Sequence, residues 1–125
     1  MKIWLDDIRL PLIGWTWIKT AEECIEVLKN HWNEIEEISL DHDLAFEHYV
    51  VSEQNMKSEL EKDEPLPSIN KTGYDVAKFI EEEVYLNYRI PPKMYCHSDN
   101  PAGRKNILST IDAITRRINI RSILR

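Results

Sequence analysis

Glycine is scarce in this sequence, with 3 residues in 125, and it is accompanied by only 6 prolines and 2 cysteines. So little glycine and proline excludes a collagen-like or low-complexity chain. Cys24 and Cys96 lie in apolar surroundings without metal-ligand spacing. They exclude a disulfide scaffold and read as buried thiols in a reducing compartment. No apolar run approaches the ~18 residues of a membrane span. The first apolar run stops at Asp6-Asp7, too early for a signal-peptide core, so no membrane association and a cytoplasmic location are expected. Basic side chains are also in deficit, 16 against 22 acidic, for a formal charge of −6. That balance argues against a broad electrostatic grip on nucleic acid or an anionic membrane, so no nonspecific DNA binding is expected, while it leaves room for a local phosphate site.

What is present is an ordinary globular composition, 42% apolar and 30% charged, at a length that suits one domain over residues 1–125. Its charge is uneven. Residues 1–100 carry 10 basic and 21 acidic groups, or −11, whereas residues 101–125 carry 6 basic and 1 acidic, or +5.

Lys2 to Leu5 is a short apolar run closed by Asp6-Asp7, and Pro11 excludes a helix after it, so a buried first strand is expected. Trp15 to Lys19 is rich in aromatic and β-branched residues and predicts a second strand. Thr20 and Glu23 form a capping-box pattern ahead of Ala21, Ile25, Leu28 and Trp32, which share one helical face. Ile35 to Leu40 predicts a third strand, closed by Asp41-His42-Asp43. From Ala45 to Lys71 the chain is polar and irregular, a long insertion of the kind that serves as a lid or mobile loop. Thr72 and Asp75 predict the start of a second helix with Val76, Phe79, Ile80 and Val84 on its buried stripe. Lys93 to Cys96 predicts another strand, ended by His97-Ser98-Asp99-Asn100. Asn100 as N-cap and Pro101 at the first helical position then open a helix with Ile107, Ile111, Ile114 and Ile118 inward. Asn119 to Arg125 is open to two readings, a short edge strand or a frayed tail.

Strands alternating with amphipathic helices predict an α/β fold with a short parallel sheet of about four to five strands. Ligands of such sheets bind outside the carboxyl ends of the strands. Three of those ends carry acids or histidines, which would therefore meet at one edge. Four aspartates at two neighbouring strand ends repel one another by about 4 kcal/mol per pair at contact distance. A divalent cation relieves that repulsion, and oxygen-only ligands suit magnesium or manganese. The plainer reading has some of these aspartates facing solvent or capping helices. The segment Ser98, Asn100, Gly103 and Arg104 joins a strand end to a helix start, where free N–H groups favour an anion and Gly103 permits close approach. Its plainer reading is a capped helix with an exposed arginine. His42 and His97 fall at site-forming strand ends and suit proton transfer or a structural bond to an aspartate; His31 and His48 do not fall there. Arg9 is either a partner that orients the acids or a second phosphate contact. Trp15, Trp17 and Trp32 read as core residues first and stacking residues second.

Asp6-Asp7 and Leu40-Asp41-His42-Asp43-Leu44 resemble response-regulator receiver domains, in which an acidic pair and an acceptor aspartate form a magnesium site. The chain departs from that pattern in two ways. Only about a dozen residues separate Asp7 from the next strand, too few for the usual first helix, and Lys105 is the last lysine, so the lysine after a fifth strand has no counterpart. The chain is more similar to the receiver-like cyclic-phosphate processing receiver domains. The similarity rests on Leu5-Asp6-Asp7-Ile8-Arg9-Leu10-Pro11, the Asp41 block, Gly73-Tyr74-Asp75-Val76-Ala77 and His97-Ser98-Asp99-Asn100-Pro101-Ala102-Gly103-Arg104, in that order.

This resemblance implies a receiver-like (flavodoxin-like) three-layer fold. It also implies a metal-dependent phosphoesterase acting on a cyclic phosphate, in a cyclic nucleotide or at an RNA end. Asp6, Asp7 and Asp41 would be the metal ligands, Asp43, His42, His97 and Arg9 the catalytic groups, and Ser98, Asn100, Gly103 and Arg104 the phosphate contacts. Two other functions use the same residues: a receiver-type domain phosphorylated at Asp41, and a module that binds a cyclic nucleotide without chemistry.

Overall fold

The computed structural model describes residues 1–44 and 71–123. The polar insertion expected at 45–71 lies outside the described residues except for Lys71. Four parallel strands, β1 (Lys2–Leu5), β2 (Thr16–Ile18), β3 (Glu37–Leu40) and β4 (Lys93–Cys96), form one sheet in the order β2-β1-β3-β4. The helices are α1 (Ala21–His31), α2 (Gly73–Asn87) and α3 (Pro101–Ile123), and a 3₁₀ turn at Trp32–Glu34 leads into β3. This is a receiver-like α/β fold. No helix among the described residues is long and apolar enough to cross a membrane.

Local chemistry explains the helix starts. Thr20 Oγ accepts the Glu23 N–H at 3.1 Å, satisfying one of the donors a helix start leaves open. Thr72 and Asp75 complete a reciprocal capping box, with Thr72 N–H donating to Asp75 Oδ2 at 2.8 Å. Asn100 Oδ1 accepts the Gly103 N–H at 3.0 Å, as an N-cap does. Where Asn119 onward reads as an edge strand or frayed tail, α3 instead runs on to Ile123. The cause lies in tertiary contacts. Arg117 and Arg121 stack over Tyr85 and Tyr88 of the α2 end, and Arg121 also bonds the Val84 carbonyl. Within the predicted stripes, Leu28, Val76, Ile80, Val84, Ile107 and Ile114 are buried, while Ile25, Phe79, Ile111 and Ile118 pack partly buried at the margin.

The second helical layer of a three-layer fold is absent among the described residues, and topology gives the reason. The crossovers β2-α1-β3 and β3-α2-β4 step the same way along the sheet. Right-handed connections therefore place α1 and α2 on one face. Helix α3 packs beside α2 and against β4. Helices on the other face would have to come from the β1–β2 connection or follow a fifth strand. The first is a ten-residue loop turned at Gly14, whose φ of +90° favours glycine, and the second has no counterpart among the described residues. Ile3, Leu5, Ile18, Ile38 and Leu40 thus face the helices and are buried. Trp4, Trp17, Ser39 and Tyr95, aligned in one row across the strands, face the other way. Trp32 is a core residue as expected. Trp15 and Trp17 depart from that expectation and are only partly buried.

Candidate functional site

The sheet ladder runs past each strand end and brings the polar ends side by side. Asp6 N–H donates to Ile18 O, Asp41 N–H to Leu5 O, and His97 N–H to Leu40 O, at 3.0–3.1 Å. Beside these ends lies a cleft of about 190 Å³ lined by Asp6, Asp7, Ile8, Arg9, Asp41, Asp43, Asp99 and Asn100. The convergence expected from strand order is present.

Asp6 is 1% exposed and held at both oxygens. Its Oδ1 accepts the N–H groups of Ile8 and Arg9, each at 2.9 Å, and its Oδ2 lies 3.1 Å from His97 Nε2. The other ring nitrogen of His97 is 2.7 Å from Ser39 Oγ. A carboxylate only accepts, so Nε2–H donates to Asp6 and the Ser39 hydroxyl donates to Nδ1, which fixes one neutral tautomer. Burial also pushes the His97 pKa down, against the pull of Asp6. With both nitrogens engaged and its ring stacked 3.8 Å from Trp4, His97 stands behind Asp6 as a support and does not line the cleft.

His42 is arranged in parallel. Its Nδ1 is 2.8 Å from Asp43 Oδ1, and the Asn100 amide donates to both Asp43 oxygens at 3.0 and 3.1 Å. The space beside Gly103 is filled by the His42 ring, since a Cβ there would lie 2.2 Å from Cγ. The close approach that glycine permits is therefore made by His42, and the Gly103 N–H belongs to Asn100. Gly73 has a similar role: a Cβ there would meet the Asp41 carbonyl oxygen at 1.9 Å.

Ser98 is buried and hydrogen-bonds Asp41 as well as accepting the Asn100 N–H. Arg9 lines the cleft, and its guanidinium bonds the His97 carbonyl at 2.9 Å and pairs with Asp99. Arg104 is not brought to the cleft; it is exposed on α3 among Pro101, Lys105, Leu108 and Asp112. Sequence reasoning missed Ser39 and Trp4. A serine inside an apolar strand was the available signal, because a buried hydroxyl needs a partner.

One carboxylate oxygen each from Asp6, Asp7 and Asp41 lies within 4.8 Å of the others. Burial, and then the Asp6 charge, push the Asp41 pKa up to about 6, opposed by the Ser98 bond. Crowded, partly desolvated oxygen donors with this strain fit a small hard divalent cation. Residues 1–113 match the model of the cyclic-phosphate processing receiver domain, while the curated proteins and the solved structures searched give no match. Sheet order, acid-tipped strands and a match over most of its length make this chain a member of the cyclic-phosphate processing receiver domain family.

Proposed function

We propose that the domain hydrolyses a cyclic phosphate at the acidic cleft, with Asp6, Asp7 and Asp41 as ligands of magnesium or manganese. The observation that carries this reading is the convergence of those three carboxylates beside a fourth, Asp43, which has its own supports. A bound cation would supply positive charge to a phosphoryl oxygen and acidity to a water. The chain supplies the remainder. Asp43 takes the proton of the attacking water, and His42, donating from Nδ1, steadies the carboxylate. A new P–O bond forms, one ester P–O bond of the ring breaks, and the proton passes to the leaving oxygen, giving a phosphomonoester. Asn100 holds Asp43 in line. His97, Ser39 and Arg9 fix the Asp6 turn, so these are positioning residues. Ser98 positions Asp41. Gly103 makes room for His42, and Arg104 takes no part in this scheme. The occupant is a small phosphate-containing ligand or an RNA end.

The test is chromatography of 2′,3′- and 3′,5′-cyclic nucleotides and cyclic-phosphate-ended RNA, incubated with the pure protein with and without magnesium or manganese. We expect cation-dependent monoester, reduced at least about a hundredfold by Asp43→Asn and abolished by Asp41→Asn. Turnover insensitive to chelator removes the cation from the scheme, and no turnover of any of these compounds sinks it. A second reading, phosphorylation of Asp41, draws on the same acid cluster. Among the described residues no lysine lines the cleft, and Lys105 lies on the exposed side of α3 away from it, which weighs against this reading. An acid-stable, hydroxylamine-labile phosphoryl mass on Asp41 after treatment with a small phosphodonor would favour it.

A further inference from the structure

We propose that the sheet face that carries no helix among the described residues is a stacking platform for unpaired bases of single-stranded RNA, oriented to deliver an RNA end to the acidic cleft. The inference rests on the cyclic-phosphate reading of that cleft, and it selects an RNA end as the substrate class.

All-parallel sheets occur almost only with both faces covered. Among the described residues, one face carries the helices and the other carries aromatic rings. Trp4 and Trp15 meet edge to face at 6.2 Å, Trp15 and Tyr95 at 6.4 Å, and His97 stacks on Trp4. Ser39, small and in register between Trp4 and Tyr95, leaves the strip over β3 that Trp15 spans. Trp4, Trp15 and Trp17 are each partly exposed and Tyr95 is 37% exposed. Rings held this way by a rigid sheet offer π-faces to any base.

Charge selects the occupant. Lys2, Lys19 and Lys93 stand over Trp15, Trp17 and Tyr95 at 6.0, 4.5 and 5.6 Å. Glu37, from the same face, is tied to Lys2 and to the Tyr95 hydroxyl. In a chain of net charge −6, this face carries a local cationic excess beside aromatic rings, the pairing that a phosphate backbone with splayed bases requires. A second copy fits less well, since a twofold pairing of these faces would bring the lysines of both copies together. The platform is continuous with the cleft. Trp4 Nε1–H donates to the Arg9 carbonyl at 3.1 Å, Trp17 Nε1–H donates to the Asp6 carbonyl at 2.6 Å, and His97 joins Trp4 to Asp6.

The test uses fluorescein-labelled uridylate and adenylate pentamers with plain 3′-hydroxyl ends, titrated with the full chain and followed by anisotropy. Lacking a cyclic phosphate, these probes read the platform alone, whereas turnover of 2′,3′-cyclic mononucleotides reads the cleft alone, so either can fail without the other. We expect both pentamers to bind, Trp15→Leu to weaken binding about tenfold, and Lys93→Ala to reduce the salt slope by about 0.7. Should Trp15→Leu fail to fold, Lys19→Glu and Lys93→Glu at exposed positions are expected to weaken binding about tenfold instead. No binding at about 100 µM protein, or unchanged binding in the folded variants, overturns the proposal. So does a dimer by sedimentation whose Trp15 is shielded from solvent.

Discussion

A Cβ at Gly103 would lie 2.2 Å from the His42 ring, so these two residues occupy one space. In an ordinary helix Gly→Ala gains up to about 1 kcal/mol. Here Gly103→Ala is expected to cost about 1–3 kcal/mol through overpacking. In a His42→Ala background the cost should vanish or reverse, and urea denaturation of the four proteins of this cycle measures the coupling. Additive effects would show that His42 is not what Gly103 accommodates. Asp41 makes a second residue-scale prediction. Folding raises its pKa from 3.8 to about 6, so the ionised carboxylate costs stability above pH 6 and that cost fades as pH falls toward 4. His97, lowered on folding, acts oppositely: its contribution is present above its ordinary pKa and is lost as pH falls from there through the lowered folded value. Comparing wild type with Asp41→Asn isolates the aspartate. Without divalent cation, Asp41→Asn should be more stable by about 1–2 kcal/mol near pH 7.5, with the gap narrowing below pH 6 and closing toward pH 4 in pH-resolved thermal melts.

The elements were legible wherever the signal was local. Lys2 to Leu5 was closed by Asp6-Asp7 and Lys93 to Cys96 was opened by Pro91-Pro92, and they fold as β1 and β4 with those ends. Thr20, Thr72 and Asn100 announced their helices through capping chemistry that acts within four residues. The end of α3 was illegible because what holds it comes from another element: Tyr85, Tyr88 and the Val84 carbonyl of α2. Tyr88 itself, at φ 55°, is a left-handed cap in a non-glycine residue, which one sequence does not reveal. Arg121→Ala is expected to loosen this last stretch. Amide exchange over residues 119–123 should speed up about tenfold, while the first half of α3, over Ile107 and Ile114, keeps its protection. Unchanged exchange there would mean that helix propensity alone carries the end.

At the scale of the molecule, sequence order gave the convergence of acids at one sheet edge, because parallel strands force their carboxyl ends together. It did not give the division of labour among the convergent residues. Which histidine faces a cleft depends on rotamers and on partners distant in sequence, such as Ser39 for His97, and both histidines turn out to stand behind aspartates. Nor did it give the single helical layer found among the described residues, since apolar aromatics read as core until the crossovers are counted. The assignment of Trp15 and Trp17 failed for that reason.

The central position of β1 sets a clock on the site. Asp6 and His97 are 91 residues apart, yet each holds the other in place. At about 5–20 residues per second of synthesis, roughly 5 to 18 seconds separate them on the ribosome. Asp41, 35 residues after Asp6, is made roughly 2 to 7 seconds into that interval, whereas the end of β4 is made only at its close. The support that His97 gives Asp6 is therefore a late event in the birth of the molecule, open only once β4 has joined the sheet.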